Sequence, residues 1–213
     1  MNFYWVKTHL IIKKLFPNFI WDIPNNEKKI FLTFDDGPDP EVTPWVLAVL
    51  KKADIKATFF CIGDNIKKHP DIFKEILSQG HAIGNHTFNH LKGWETETTT
   101  YLENIKKCDD EILESGGFST DLFRPPYGKI SRLQTKEVLK LNKKIIMWDI
   151  LTVDYDKTVT PEKCLENATR KVTSGSIIIF HDSVKAFPNL EYALPKAIEI
   201  LKKEKGFVFD VIY

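Results

Sequence analysis

The chain has 213 residues, 43% of them hydrophobic and 28% charged, the composition of a folded domain and not of a disordered segment. Its 30 Lys and Arg against 29 Asp and Glu leave a net charge of +1, which speaks against the basic excess of a nucleic-acid footprint. Three cysteines, Cys61, Cys108 and Cys164, include no C-x-x-C pair. That excludes a thiolate zinc cluster and a disulfide scaffold, and leaves all three as small core residues.

The N-terminus, MNFYWVKTHLIIKKLFPNF, carries an apolar patch at His9–Ile12 that Lys13 and Lys14 interrupt, and no small-residue cleavage site follows. The expectation is a helix docked on the domain, with a weak interfacial anchor as the alternative. No run approaches the ~18 to 20 apolar residues of a membrane span. No stable membrane insertion and a cytoplasmic location are therefore expected, with peripheral association left open. Residues 1–28 are read as an extension packed on a catalytic domain of residues 29–213.

From Lys29 onward short apolar or β-branched runs alternate with stretches of helical period. Strands are expected at Lys29–Asp35, Ala57–Ile62, Ala82–Asn85, Leu122–Arg124, Lys144–Ile150, Ser176–His181 and Phe207–Ile212. Helices are expected near 43–53, 65–79, 98–114, 131–142, 161–173 and 191–204. Pro44 and Pro161 mark first turns, Ser131 a cap and Gly80 a stop. Such alternation predicts a parallel sheet covered by helices, and periodicity does not separate an open sheet from a barrel.

The chemically distinctive residues fall at the carboxyl ends of the expected strands, where parallel α/β folds place their sites. Asp35-Asp36-Gly37-Pro38 ends the first strand. Adjacent carboxylates are costly unless something compensates, and a metal can take one and leave the other as a base; a solvated Asp-Gly-Pro turn is the plain alternative. His86 and His90, four residues apart, are expected on one face of a helical turn. With Asp36 they make two nitrogens and one oxygen, the donor count of a catalytic zinc site. Arg124-Pro125-Pro126-Tyr127-Gly128 forms a rigid turn able to aim a backbone N–H at an oxyanion, and its arginine can pair with a catalytic carboxylate. His181 closes an all-apolar strand and suits a general acid, a structural histidine being the alternative.

These four segments, in this order and spacing, resemble the polysaccharide deacetylases, the NodB-homology group or carbohydrate esterase family four, over about residues 29–212. The resemblance implies a distorted (β/α)7 barrel and metal-dependent removal of acetyl groups from N-acetylglucosamine units of a peptidoglycan- or chitin-type glycan. Zinc is the implied metal, with cobalt or another transition metal as substitutes. By position, Asp35 is the base that activates water, and Asp36, His86 and His90 are the metal ligands. His181 is the acid and Arg124 orients Asp35. The Tyr127 N–H binds the oxyanion, while Pro126, Tyr155 and Ile179 contact substrate. One departure stands out. The family's usual Asp-x-x-Asp-Trp reads Leu151-Thr152-Val153-Asp154-Tyr155 here, so the carboxylate that supports the acid is displaced. Asp149, two residues earlier and on the same strand face as Leu151, is expected to take its place, failing which Asp154 does. A small non-sugar amide, an O-acetyl ester and an inactive carbohydrate-binding protein are the competing readings. Oligomeric state is not legible.

Overall fold

The computed structural model describes residues 4–213, and residues 1–3 of the expected N-terminal extension lie outside the described residues. The apolar runs form nine strands: β1 (Phe19–Ile20), β2 (Lys29–Asp35), β3 (Thr58–Cys61), β4 (Ala82–Asn85), β5 (Leu122–Phe123), β6 (Lys144–Ile146), β7 (Ile150–Leu151), β8 (Ile177–His181) and β9 (Val208–Asp210). All ladders between them are parallel, in the order β1-β6-β5-β4-β3-β2-β8-β7, with β9 beside the start of β2. The run expected as one strand, Lys144–Ile150, is split. Its first part pairs with β5 and its last part with β8, so residues 147–149 carry the chain from one end of the curled sheet to the other. That bent strand gives the barrel its distortion.

Eight α-helices surround the sheet: α1 (Leu10–Leu15), α2 (Val42–Ala53), α3 (Gly63–Lys68), α4 (Pro70–Ser78), α5 (Thr98–Gly116), α6 (Arg132–Lys140), α7 (Pro161–Thr169) and α8 (Phe187–Glu199). The single helix expected over 65–79 is two. His69, at φ −131°, breaks it, because a residue before proline is driven out of the helical region. Ser131 caps α6 in a reciprocal box with Gln134, the arrangement that satisfies two orphan N–H groups at once. The all-apolar β8 is buried along Ile177–Phe180, as a central strand covered on both faces should be. Phe34 stacks between Phe59 and Phe180, at centroid distances of 5.0 and 6.2 Å. Cys61, Cys108 and Cys164 are free and buried, as the composition implied.

Residues 4–28 hydrogen-bond into the sheet. Phe19 and Ile20 pair with Ile145 and Ile146, and isolated bridges join Lys7 to Ile150 and Asp22 to Ser176. Helix α1 buries none of its residues and lies on the surface. No helix among the described residues is long and apolar enough to cross a membrane.

Candidate active site

Parallel pairing sets the carboxyl ends of β2, β4, β5, β7 and β8 on one rim. A cleft of about 390 Å³ opens there, lined by Asp35, Asp36, His86, His90, Tyr127, Trp148, Leu151, Tyr155, Ile179, His181, Ser183 and Lys185. Nearly all the residues singled out in the sequence meet in it. Trp148, Ser183 and Lys185 are additions. The only signal for them was adjacency to a strand end, which does not say where a side chain points.

Asp36, His86 and His90 present ligand atoms that all lie within 4.8 Å of one another. Asp36 Oδ1 is 3.3 Å from His90 Nε2 and 3.7 Å from His86 Nε2. It is buried and has no hydrogen-bond partner, an arrangement that costs free energy unless something fills the gap. The His86 Nδ1 sits 2.8 Å from the Arg124 carbonyl oxygen. A carbonyl only accepts, so Nδ1 carries the proton and the Nε2 lone pair faces Asp36. Burial first, and His90 second, lower the His86 pKa to about 3. Burial also lowers that of His90, so both rings are neutral and available as donors. Two imidazoles and a carboxylate, each with a free donor atom turned inward, fit a divalent metal such as zinc.

The histidine pair is not on a helical turn, as its spacing suggested. Residues 86–90 form a loop in which Thr87 and His90 adopt positive φ of 63° and 57°. Side chains from outside the segment impose this. Asn85 Oδ1 accepts the Thr87 N–H and Asn104 Oδ1 the Phe88 N–H, both at 2.8 Å. The rings still meet, at a centroid distance of 5.1 Å.

Asp36 itself has a φ of 83°, a strained value for a residue with a Cβ, and its surroundings hold it there. Asn65 Nδ2 donates to its carbonyl at 2.8 Å. The next N–H, of Gly37, donates to Asp182 Oδ1 at 3.1 Å, and Thr43 Oγ1 donates to Asp182 Oδ2 at 2.6 Å. Burial, then Asp36, raise the Asp182 pKa well above the usual carboxylate range against these two bonds. A Cβ on Gly37 would lie 2.0 Å from Asp182 Oδ2. Gly37→Ala is therefore expected to displace the turn that carries Asp36. The expected outcomes are a zinc affinity lower by about 10- to 100-fold, the range for disturbed ligand support, and a stability loss of about 1–3 kcal/mol. Zinc titration and thermal melts of the metal-free protein check the two separately.

Asp35 is 2% exposed. Its Oδ1 accepts from Arg124 Nη1 at 2.6 Å. Arg124 is fully buried, and burial lowers its pKa against the pull of Asp35. Its other donors reach Thr33 Oγ1 (2.8 Å), the Ile146 carbonyl (3.1 Å) and the Met147 carbonyl (2.9 Å), and its guanidinium lies 4.0 Å over the Phe60 ring. The turn after Arg124 is closed by the N–H groups of Gly128 and Lys129, donating to Pro125 and Pro126. Tyr127, at φ 61°, is not among the donors that close it. Gly128 has positive φ, and Trp148 packs so closely that a Cβ there would lie 2.4 Å from its ring.

The carboxylate at His181 is Asp154, not Asp149. Asp154 Oδ1 lies 2.7 Å from His181 Nδ1, and Oδ2 accepts the His181 backbone N–H at 2.7 Å. Asp149 is held elsewhere. It accepts from Lys7 (2.9 Å), Lys13 (2.6 Å) and Ser176 Oγ (2.6 Å). Ser176 precedes β8 and His181 ends it, so roughly 15 Å of strand separates the two carboxylates. The expectation failed because residues 147–149 are the bend between β6 and β7, and faces alternate only while a strand continues. Burial works against charge on His181, but Asp154 outweighs it and the pKa rises to about 9. With Nδ1 committed to Asp154, Nε2 is the nitrogen left for the cleft. Tyr155 meets the His181 ring edge-on at 5.0 Å.

The profile of the polysaccharide deacetylases matches residues 22–146. Two peptidoglycan-N-acetylglucosamine deacetylases of Bacillus cereus are similar in sequence. One is 34% identical over 215 aligned residues, covering 95% of this chain and 96% of that protein. The other is 38% identical over 160 residues, and the chain spans 58% of its length. The solved structure of the Bc1960 peptidoglycan N-acetylglucosamine deacetylase, in complex with a naphthalenyl N-oxidanyl-benzamide, superposes with a TM-score of 0.87. Its identity is 35%, over 92% of this chain and 91% of that one. Fold and relatives together define a hydrolase acting on carbon–nitrogen bonds. The chain belongs to the polysaccharide deacetylase family.

Proposed function

We propose that the chain hydrolyses the N-acetyl amide of N-acetylglucosamine units in a polysaccharide or oligosaccharide, releasing acetate and leaving a free amine. The observation that carries this is the buried, partnerless Asp36 Oδ1 facing His86 and His90, with a held carboxylate (Asp35) and a charged histidine (His181) in the same cleft. Asp36, His86 and His90 would hold a divalent metal, zinc best matching the donors. When bound, that ion supplies Lewis acidity to the amide carbonyl and lowers the pKa of water toward ~7.

The protein's own groups divide the proton transfers. Asp35, oriented by Arg124, accepts a proton as the water oxygen adds to the carbonyl carbon. The Tyr127 N–H stands ready for the oxyanion. His181, charged through Asp154, gives its Nε2 proton to the nitrogen as the C–N bond breaks, so the products are acetate and an amine. Ile179 gives the acetyl methyl an apolar wall, and Pro126 and Tyr155 shape the mouth of the cleft.

Acetate release from chito-oligosaccharides and peptidoglycan fragments, before and after chelation and with zinc restored, tests the reading. Release is expected to stop on chelation and return with zinc. Asp35→Asn is expected to lower kcat by about 10²- to 10⁴-fold, the contribution of a positioned base, while zinc still binds. Release that ignores both chelation and Asp35→Asn overturns it. A zinc-binding protein that releases acetate from no sugar points instead to a small non-sugar amide.

A further inference from the structure

Two aromatic walls leave the cleft in opposite directions, and each ends under a lysine. On one side the His90 ring packs on Tyr127 at 4.6 Å, and Tyr127 meets Trp94 edge-on at 5.4 Å. Lys129 Nζ lies 4.6 Å over the Trp94 ring. On the other side the edge-on pair of His181 and Tyr155 is followed by Lys185 Nζ, 5.6 Å from the Tyr155 centroid. Trp94 and Tyr127 are 40% and 54% exposed, more than packing residues need.

The charges around these walls are unequal. Among the described residues neither Lys129 nor Lys185 forms an ion pair, whereas the nearby acids are engaged. Asp35 is held by Arg124 and Asp154 by His181, and Asp36 faces the two histidines. Glu95, beside Trp94, is paired with Lys92 at 3.2 Å. Asp156, next to Tyr155, accepts from Tyr4. Leu151 lines the cleft without charge. Both rims therefore present an aromatic face with an uncommitted ammonium above it. Such a face takes the C–H side of a sugar ring, and the ammonium attracts an anion on the same sugar.

We propose that the two rims are subsites for the sugars flanking the one that is deacetylated, and that Lys129 and Lys185 select a glycan bearing carboxylates on those neighbours over a neutral polymer. This rests on the deacetylase reading and narrows its substrate class. A neutral chitin-type chain offers nothing for either ammonium. A glycan whose alternate sugars carry carboxylates offers one partner on each side.

The experiment compares kcat/KM on two oligosaccharides of equal length. One is a neutral chito-oligosaccharide. The other is a peptidoglycan glycan fragment with free carboxylates on alternate sugars. The quantity read is the ratio of the two constants, in the wild type and in Lys129→Met, Lys185→Met and the double variant, at low and high salt. Methionine keeps an apolar stem over each ring and removes only the charge. The ratio is expected to favour the carboxylate glycan in the wild type, and to fall roughly threefold per lysine and about tenfold in the double variant, the range exposed ion pairs support. High salt should reduce the wild-type ratio in the same direction. A ratio that the double variant leaves unchanged overturns the proposal even where both glycans are deacetylated. If neither glycan releases acetate, the deacetylase reading itself fails, and this one falls with it.

Discussion

Arg124→Met is expected to destabilise the fold by about 3–5 kcal/mol, the cost of leaving a buried charge without its partner. Arg124 is the largest fully buried side chain, and it stands where β5, β6 and β2 converge. Four donor contacts tie it to the Ile146 and Met147 carbonyls, Thr33 and Asp35. Methionine fills much of the space but donates nothing, so two carbonyls, a hydroxyl and the Asp35 carboxylate lose their partner together. For a chain of this size each kcal/mol moves the melting temperature by roughly 2–4 °C, so a fall of about 10 °C or more is expected. Lysine in its place should recover little, because a point charge on a flexible stem cannot reach carboxylate and carbonyls at once. Adding Asp35→Asn to Arg124→Met should return part of the loss, since the second change removes the charge the first one stranded. A thermal melt of the four proteins closes that cycle. An Arg124→Met protein melting within about 2 °C of the wild type would show that the guanidinium does not hold the barrel together.

The same residue shows why much of the site was legible before any coordinates. In a parallel sheet every strand delivers its last residue to the same rim, so finding Asp35, His86, Arg124 and His181 at strand ends already places them near one another. What sequence alone did not carry was local direction. The period-2 argument that put Asp149 beside His181 assumes unbroken pairing, and pairing is broken at residues 147–149, where the strand changes neighbours. The four-residue spacing of His86 and His90 resembles a helical turn, but Asn85 and Asn104 hold that segment in a loop with left-handed residues. Those asparagines lie on β4 and on α5, and no local pattern announces their reach. The two-residue strand β1 is likewise too short to show a period, and only its partner β6 makes it a strand.

The Asp154–His181 pair gives the second large effect, read in pH rather than in stability. His181 must be protonated to donate to the leaving nitrogen. Its pKa is raised to about 9, so the acid is loaded at neutral pH and activity should fall as pH climbs through that value. Asp154 supplies the interactions that raise it, by charge and by hydrogen bond, against a burial that lowers it. In Asp154→Asn the burial remains and the compensation goes. The alkaline limb should therefore move down, toward the ordinary histidine value near 6.5 or below, and kcat at neutral pH should drop by about 10²- to 10⁴-fold, the worth of a general acid. A cation at Asp36 repels the charged ring in both proteins and lowers both limbs, leaving the difference between them. The stability linkage has the same sign. A pKa raised on folding stabilises at pH below the unfolded value and loses that contribution as pH rises through the folded one, so the Asp154→Asn protein should show a flatter loss of stability toward alkaline pH. Asp149→Asn is the control. It breaks the contacts to Lys7, Lys13 and Ser176 and should lower the melting temperature while leaving the limb in place. A limb that follows Asp149 and ignores Asp154 would remove His181, as it is held in this structure, from the role of acid.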